Sequence, residues 1–416
     1  MDIFLGVIVG LLVLMFLVTA HEFGHFIMAR KNGVRVLEFG ICFPPRAIAW
    51  IKDPETKKWK RLPKKDWKKP QDGLIFSINW LPIGGFCQMD GETDADTRKG
   101  TFGAASFWGK TKILFGGVVV NWLVAFVIFT ILAWTGMPEF LTGQFTVESD
   151  TRTNSAPIEI SQVTENSPAA DAGIASGDLI LAVDGNEFTH VSEITDYNEA
   201  HAGETVTYTI ERSESVTEPC ESEPCVTTGT SQTKDLEVTL NPSDSEYLLG
   251  VSMSASQALS YSTWSAPIVG AGLTVQLTGE TFKGLGIMLW NLISGVAEQF
   301  SGDAAVRQSG QESISSVGNS ISGPVGIVGQ LFPAFTAAGP NNLAFLTALI
   351  SVSLACMNVL PIPALDGGRW LLIAIFKLRD KKLTKEIEEK IVSRAFVVLL
   401  TLIVIVTILD IIRLVG

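Results

Sequence analysis

Three residues of one apolar stretch could carry chemistry. His21, Glu22 and His25 lie within residues 16–28, FLVTAHEFGHFIM. Two histidines four apart share a helix face, with Cβ atoms about 6 Å apart, which suits two imidazole nitrogens converging on one metal ion. Glu22 follows the first histidine directly. In an H-E-x-x-H arrangement that carboxylate sits beside a metal-bound water and can take its proton. The bare pattern recurs by chance, but ionisable side chains inside a membrane-length apolar segment are costly and belong to function. The competing reading, a metal-free histidine pair in a buried helix, leaves that cost uncompensated.

A catalytic zinc takes three protein ligands and keeps one position for water. The only other histidines, His190 and His201, fall in an acidic segment assigned below to the opposite side of the membrane. The acid at a suitable depth is Asp366, in residues 358–368, NVLPIPALDGG. By helix rise, His25 lies about 8 Å and His21 about 14 Å before the basic end of their helix at Arg30. Pro361 and Pro363 delete backbone donors close to Asp366. Such irregular backbone is tolerated at membrane depth only when buried in protein or lining a wet cavity, and a hydrated pocket facing the histidines meets that condition. The alternative role for Asp366 is a helix cap at the membrane boundary.

The elements that must position these residues follow from hydropathy and charge. The 416-residue chain is 47% hydrophobic with a positive mean hydropathy, which favours an integral membrane protein carrying a soluble part over a wholly soluble enzyme. Its formal charge of -12 is unevenly spread: residues 30–112 hold 17 Lys+Arg against 9 Asp+Glu, and residues 136–340 hold 5 against 26. Four spans are expected, at about 3–29, 113–135, 341–365 and 395–414. The basic loops after the first and third then face the cytoplasm, and both termini lie outside. A cleaved signal peptide at the start is disfavoured, because Asp2 stands where a basic leader belongs. The Lys-rich run at 57–69 reads as a solvated loop near the inner leaflet rather than a nucleic-acid site.

Between the first two spans, residues 36–51 and 74–89 are rich in β-branched and aromatic residues, with Pro and Gly bends, and read as strands or hairpins. Residues 136–258 turn Thr-, Ser- and Glu-rich with short alternating runs, a small β-rich soluble domain. Within it, Ser167 to Gly185 resembles a PDZ domain, with the signature Gly-Asp-x-Ile at 177–180. Residues 259–340 read as a helical linker. The stretch 264–297 is moderately apolar but contains Glu280 and Lys283, and is expected to lie outside the membrane or at its interface. Cys42, Cys87 and Cys356 are scattered, whereas Cys220 and Cys225 could close a small loop in an oxidising compartment or stay free thiols. The expected architecture is a polytopic α-helical membrane protein with four transmembrane helices, a cytoplasmic-side re-entrant β-hairpin region and an extracytoplasmic PDZ-like β-rich domain.

These motifs together resemble the site-2 protease family, specifically its bacterial RseP-type intramembrane zinc metalloproteases. The resemblance covers nearly the whole chain and rests on HEFGH at 21–25, Gly117 to Asn121, the PDZ-like domain, SGPVGI at 322–327 and NVLPIPALDGG at 358–368. It implies Zn2+ held by His21, His25 and Asp366, with Glu22 as base. It also implies a substrate cleft lined by Asn358, Pro361 and Pro363, support from Asn121, and a membrane re-entrant β-loop at 74–89. The chain departs from proteobacterial members in showing one PDZ signature rather than two, which bears on substrate gating, and in its Lys-rich insert at 52–70.

A transmembrane helix hides its carbonyls, so a substrate must unwind before attack. An edge strand at Ile75, Phe76, Ser77 and Ile78 is expected to hold it extended by β-addition. The expected function is regulated intramembrane proteolysis of single-span proteins, such as anti-sigma factors or signal-peptide remnants, in a bacterial cytoplasmic membrane. The partners are then transmembrane segments and the lipid bilayer. A PDZ-bearing scaffold without activity is the alternative, but such a scaffold has no need of Glu22. A zinc transporter should show acidic or histidine residues along several helices, which this chain does not.

Overall fold

The structure, a computed structural model, describes every residue except 1, 54, 68, 70, 142, 155–157, 189–190, 216–228, 243–244, 246, 256–258, 302, 321–322 and 416. Cys220, Cys225, His190 and Ser322 therefore lie outside the described residues. The chain forms two compact units, one of Met1–Thr135, Phe145–Val147 and Thr263–Gly416, the other of Gly136–Gln144 and Glu148–Ser262.

The first unit opens with α1 (Asp2–Lys31), whose apolar run ends at Arg30 and Lys31. Two long bent strands, β1 (Val36–Lys52) and β3 (Leu74–Met89), follow, with the short β2 (Trp59–Arg61) between them. Each long strand doubles back on itself, so the register has three parts. Residues 48–52 run antiparallel to 74–78, residues 38–41 pair with 75–78 on their other side, and residues 36–41 pair with 85–89. The segment 75–78 is thus interior, and the free edge is 85–89, which pairs with no further described strand. This corrects the expectation that Ile75, Phe76, Ser77 and Ile78 present an open edge: their backbone groups face strand partners on both sides. Inside this sheet Glu38, 3% exposed, is bound by Arg46 and accepts from the Ser77 hydroxyl at 2.6 Å, so a buried carboxylate is satisfied where the strands bend.

The second expected span is interrupted. Helix α2 (Phe107–Leu114), capped by the Ser106 hydroxyl, stops at Phe115, and α3 (Gly116–Thr135) continues to Thr135.

The second unit holds β4 (Met137–Pro138), β5 (Arg152–Asn154), β6 (Ile158–Val163), α4 (Pro168–Asp171), β7 (Leu179–Val183), α5 (Val191–Ala200), β8 (Thr205–Ser215), β9 (Gly229–Thr239), β10 (Val251–Ala255) and β11 (Leu259–Tyr261). Five strands form one sheet in the order β10-β6-β7-β8-β9, and three form another, β4-β11-β5. Alternation in β8 buries Val206, Tyr208 and Ile210 against Ile158, Ile160, Ile180 and Ile194, while the intervening threonines face out. The Tyr208 hydroxyl donates to Asn198 Oδ1 at 2.7 Å, satisfying a ring that is fully buried.

Asp178 explains the Gly-Asp signature. Its side chain is 1% exposed and accepts two bonds of 2.6 Å from Arg212 and one of 2.8 Å from the Ala175 N–H. Burial alone would raise the carboxyl, but these donors outweigh it and hold it below the ordinary carboxylate range. The stability this contributes is therefore present above about pH 4 and is lost as pH falls through the lowered folded value. Arg212→Ala strands the buried charge and is expected to destabilise this unit by about 3 kcal/mol at neutral pH. Hydrogen exchange across β7 and β8 in the intact chain checks this, and unchanged protection would contradict it.

The first unit resumes with α6 (Ala266–Gln299), α7 (Ala304–Ser320), α8 (Pro324–Gly326), a π-helical turn over Ile327–Leu331, α9 (Phe332–Ala337), α10 (Pro340–Val359), α11 (Asp366–Leu378) and α12 (Lys385–Val415). Helix α6 departs from expectation. Ala266, Val269, Gly270, Leu273, Thr274 and Leu277 are buried, Gly270 lies against Phe126 and Thr130 of α3, and the Cys356 thiol of α10 meets Thr278 and Thr281. Its first half therefore packs lengthwise on α3 and α10 instead of lying on a surface. Small residues allow the close approach, and Glu280 and Lys283 pair with each other at 3.3 Å on an exposed side.

Among the described residues, four helices are long and apolar enough to cross a membrane: Ile3–Lys31, Gly116–Thr135, Pro340–Val359 and Lys385–Ile412. The third ends at Val359, earlier than expected, because Leu360 precedes Pro361 and is extended, with ψ 147°. Two buried carboxylates hold the ends of α12. Glu388 accepts from the Asp94 N–H at 2.8 Å and faces Arg369, and Asp410 accepts from the Gly323 and Gly326 N–H groups at 3.2 and 2.8 Å.

Candidate metal centre

Four elements bring the site together: α1, the α2–α3 junction, β3 and the start of α11. Gly24, between the two histidines, makes the first contact possible. A Cβ there would sit 2.2 Å from the Gly116 carbonyl oxygen, so glycine lets α3 begin directly against α1 at the level of the histidine pair. The approach also delivers the Ile113 carbonyl to His25, whose Nδ1 lies 2.8 Å from it. That bond places the proton on Nδ1 and leaves Nε2 as a lone pair pointing inward.

Asp366 reaches the same point from 345 residues away. Residues 360–365 leave the helix, and α11 starts afresh at Asp366. Gly367 and Gly368 allow this reversal, since a Cβ on either would meet the carbonyls of Val359 or Ile362 at 2.1 and 2.0 Å. The result is three donor atoms in a tight triangle. His21 Nε2 is 3.1 Å from Asp366 Oδ2 and 3.1 Å from His25 Nε2, and His25 Nε2 is 3.3 Å from Asp366 Oδ2. The rings are nearly perpendicular, at 80°. A tetrahedral zinc with ligands at 2.0–2.1 Å requires ligand–ligand edges of about 3.3 Å, so the triangle fits one face of such a site. His21, Glu22 and His25 also place their ligand-capable atoms within 4.8 Å of one another.

Glu22 borders a cavity of about 480 Å³ lined by Phe43, Pro44, Phe86, Cys87, Gln88 and Glu92. Cys87 shares that lining with Glu22, so the free edge of the sheet and the candidate base meet. Phe86, Cys87 and Gln88 were not singled out in the sequence. Alternation marks 74–89 as strand but does not say which half ends up at the edge.

The other expected site residues are distributed differently. Asn121 is 1% exposed and lies behind His21, away from this cavity. Asn358 turns its amide back on its own helix, donating to the Leu354 carbonyl at 2.9 Å. Pro361 is exposed and Pro363 half-buried in the loop before Asp366. Ile75, Phe76, Ser77 and Ile78 sit inside the sheet, as described above. His201 lies in the second unit, its Nδ1 2.8 Å from the Tyr197 carbonyl.

The profile of peptidase family M50 matches residues 9–60 and 58–403. A provisionally named zinc metalloprotease of Clostridium perfringens is 27% identical over 412 residues, covering 98% of both chains. Similarly named proteins of Agrobacterium fabrum and of a Nostoc species are 26% and 27% identical over 422 and 409 residues, covering 98% and 96% of this chain and 95% and 93% of theirs. Among solved structures, the PDZ domain of an SdrC-like protein from Listeria monocytogenes aligns over 24% of this chain and 90% of its own, at 21% identity and a TM-score of 0.18.

Proposed function

Because the chain belongs to peptidase family M50, we propose that it is a site-2-type zinc endopeptidase cleaving single-span membrane proteins within their apolar segments. The observation that carries this reading is the triangle of His21, His25 and Asp366 with Glu22 beside it. His21, His25 and Asp366 would hold the zinc ion, which when bound would supply Lewis acidity toward the scissile carbonyl and a more nucleophilic water. Glu22 takes the proton of the attacking water and passes it to the leaving amide nitrogen. The imidazoles and Asp366 stay fixed throughout, braced by the Ile113 carbonyl and the Gly367–Gly368 reversal.

Substrate is held along 85–89, which replaces 75–78 as the strand for β-addition. Cys87 tests this: it is half-buried beside Glu22, whereas Cys42 and Cys356 are buried. A single-span substrate carrying one cysteine near the scissile bond, trapped on Glu22→Gln, is expected to form most of its disulfide with Cys87. In a Cys87→Ser background a cysteine introduced at 75, 76, 77 or 78 should give none. Efficient cross-linking at those four positions would restore the interior strand as the binding segment.

For orientation we keep the basic loops cytoplasmic in a bacterial inner membrane, with the β-rich unit outside as a filter for shortened substrates. Anti-sigma factors and signal-peptide remnants are the substrate classes this arrangement suits. The reading is tested by reconstituting purified protein with a single-span peptide and mapping the products by mass. A cut inside the apolar segment, abolished by chelation and restored by Zn2+, is expected. A cut confined to the flanking residues, or one indifferent to chelation, would contradict it.

A further inference from the structure

His21 rests in a socket that the ligand set alone does not explain. Its Nδ1 lies 3.5 Å from Nδ2 of Asn121, a side chain 1% exposed whose Oδ1 has no hydrogen-bond partner among the described residues. One helical turn earlier, a Cβ on Gly117 would fall 2.6–2.7 Å from Cε1, Nδ1 and Nε2 of the same ring. The segment Gly117 to Asn121 thus gives the imidazole a flat bed and places an amide at its far nitrogen. The backbone of this turn is itself anchored, since the Asn121 carbonyl accepts from the Ser351 hydroxyl at 2.8 Å.

The orientation of the amide follows from the ring. An imidazole that ligates through Nε2 carries its proton on Nδ1, and that proton needs an acceptor. His25 has one in the Ile113 carbonyl, 2.8 Å away. Among the described residues His21 Nδ1 has only Asn121, which in the orientation above turns a donor toward it. Rotating the amide by 180° about Cβ–Cγ exchanges Nδ2 for Oδ1 without changing its shape. In the orientation above Oδ1 has no hydrogen-bond partner among the described residues, so turning it toward His21 gives up no bond of that oxygen.

We propose that Asn121 is a positioning residue whose Oδ1 accepts the Nδ1 proton of His21, and that Gly117 and Asn121 together fix the tautomer and ring plane in which His21 binds metal. This rests on the reading of His21 as a zinc ligand. It places the support expected of Asn121 at the back of the imidazole.

The test is the zinc affinity of the intact protein in nanodiscs, measured by competition with a chromogenic chelator for wild type, Asn121→Leu, Asn121→Asp and Gly117→Ala. Asn121→Leu is expected to weaken zinc by about 10- to 100-fold, the usual cost of losing such a partner. Asn121→Asp can only accept, and is expected to stay within about threefold of wild type or bind more tightly. Gly117→Ala should weaken zinc by displacing the ring. Wild-type affinity in Asn121→Leu would overturn the proposal. So would an Asn121→Asp protein more than about tenfold weaker than wild type, a result that stands even if the leucine variant fails to fold. A wild type that binds no zinc would instead bring down the metal reading itself, and this inference with it.

Discussion

Glu22→Gln is expected to lose 10²- to 10⁴-fold in turnover, about 3–5 kcal/mol of transition-state stabilisation, while retaining wild-type zinc content. The substitution keeps the size and shape of the side chain and leaves His21, His25 and Asp366 in place. It also fills the same place in the cavity wall beside Cys87, so the sheet edge is left as it was. What it removes is the capacity to take a proton. Cleavage of a single-span reporter alongside metal analysis of the same preparation separates the outcomes. Turnover within a few-fold of wild type would exclude Glu22 as the base, and loss of zinc would make it a ligand instead.

Asp366→Ala is expected to act on the metal first. Structural zinc sites bind with about 10–16 kcal/mol in total, so one ligand of three or four is worth about 3 kcal/mol, more than a hundredfold in affinity. Asp366 also opens α11, where a carboxylate at a helix N-terminus contributes about 0.3–1 kcal/mol. The metal effect is several times larger than the folding effect, so the variant should remain folded and lose zinc. The reversal that places α11 depends on Gly367 and Gly368 rather than on the carboxylate. Chelator competition reads the affinity and a thermal melt reads the fold. Wild-type zinc affinity in Asp366→Ala would leave the third ligand unassigned.

Much of this site was legible because its chemistry is uncommon in an apolar setting. A histidine pair at helical spacing and an acid beside two prolines stand out against hydrocarbon whatever the tertiary structure, although the expected third span ran past Pro361 to 365 and the helix stops at Val359. Pairings across long separations were not legible. Nothing local says that Gly24 meets Gly116, although that contact sets the depth at which α3 meets the histidines. The sheet shows the same limit. Composition gave strands and bends at 36–51 and 74–89, but strand order is set by which bend folds over which, and so 75–78 became interior and 85–89 the edge. In α6, Glu280 and Lys283 were misleading because they neutralise each other on one side, leaving a face of small residues free to pack.

The central claim is that two distant parts of the chain close on one zinc, and X-ray absorption at the zinc edge of the purified, metal-loaded protein measures this directly. The expected first shell is two imidazole nitrogens with oxygen ligands, at about 2.0–2.2 Å and without sulfur, and in Asp366→Ala an oxygen contribution should be lost or replaced. A zinc–sulfur distance of about 2.3 Å, or a shell unchanged when both His21 and Asp366 are replaced, would contradict the account.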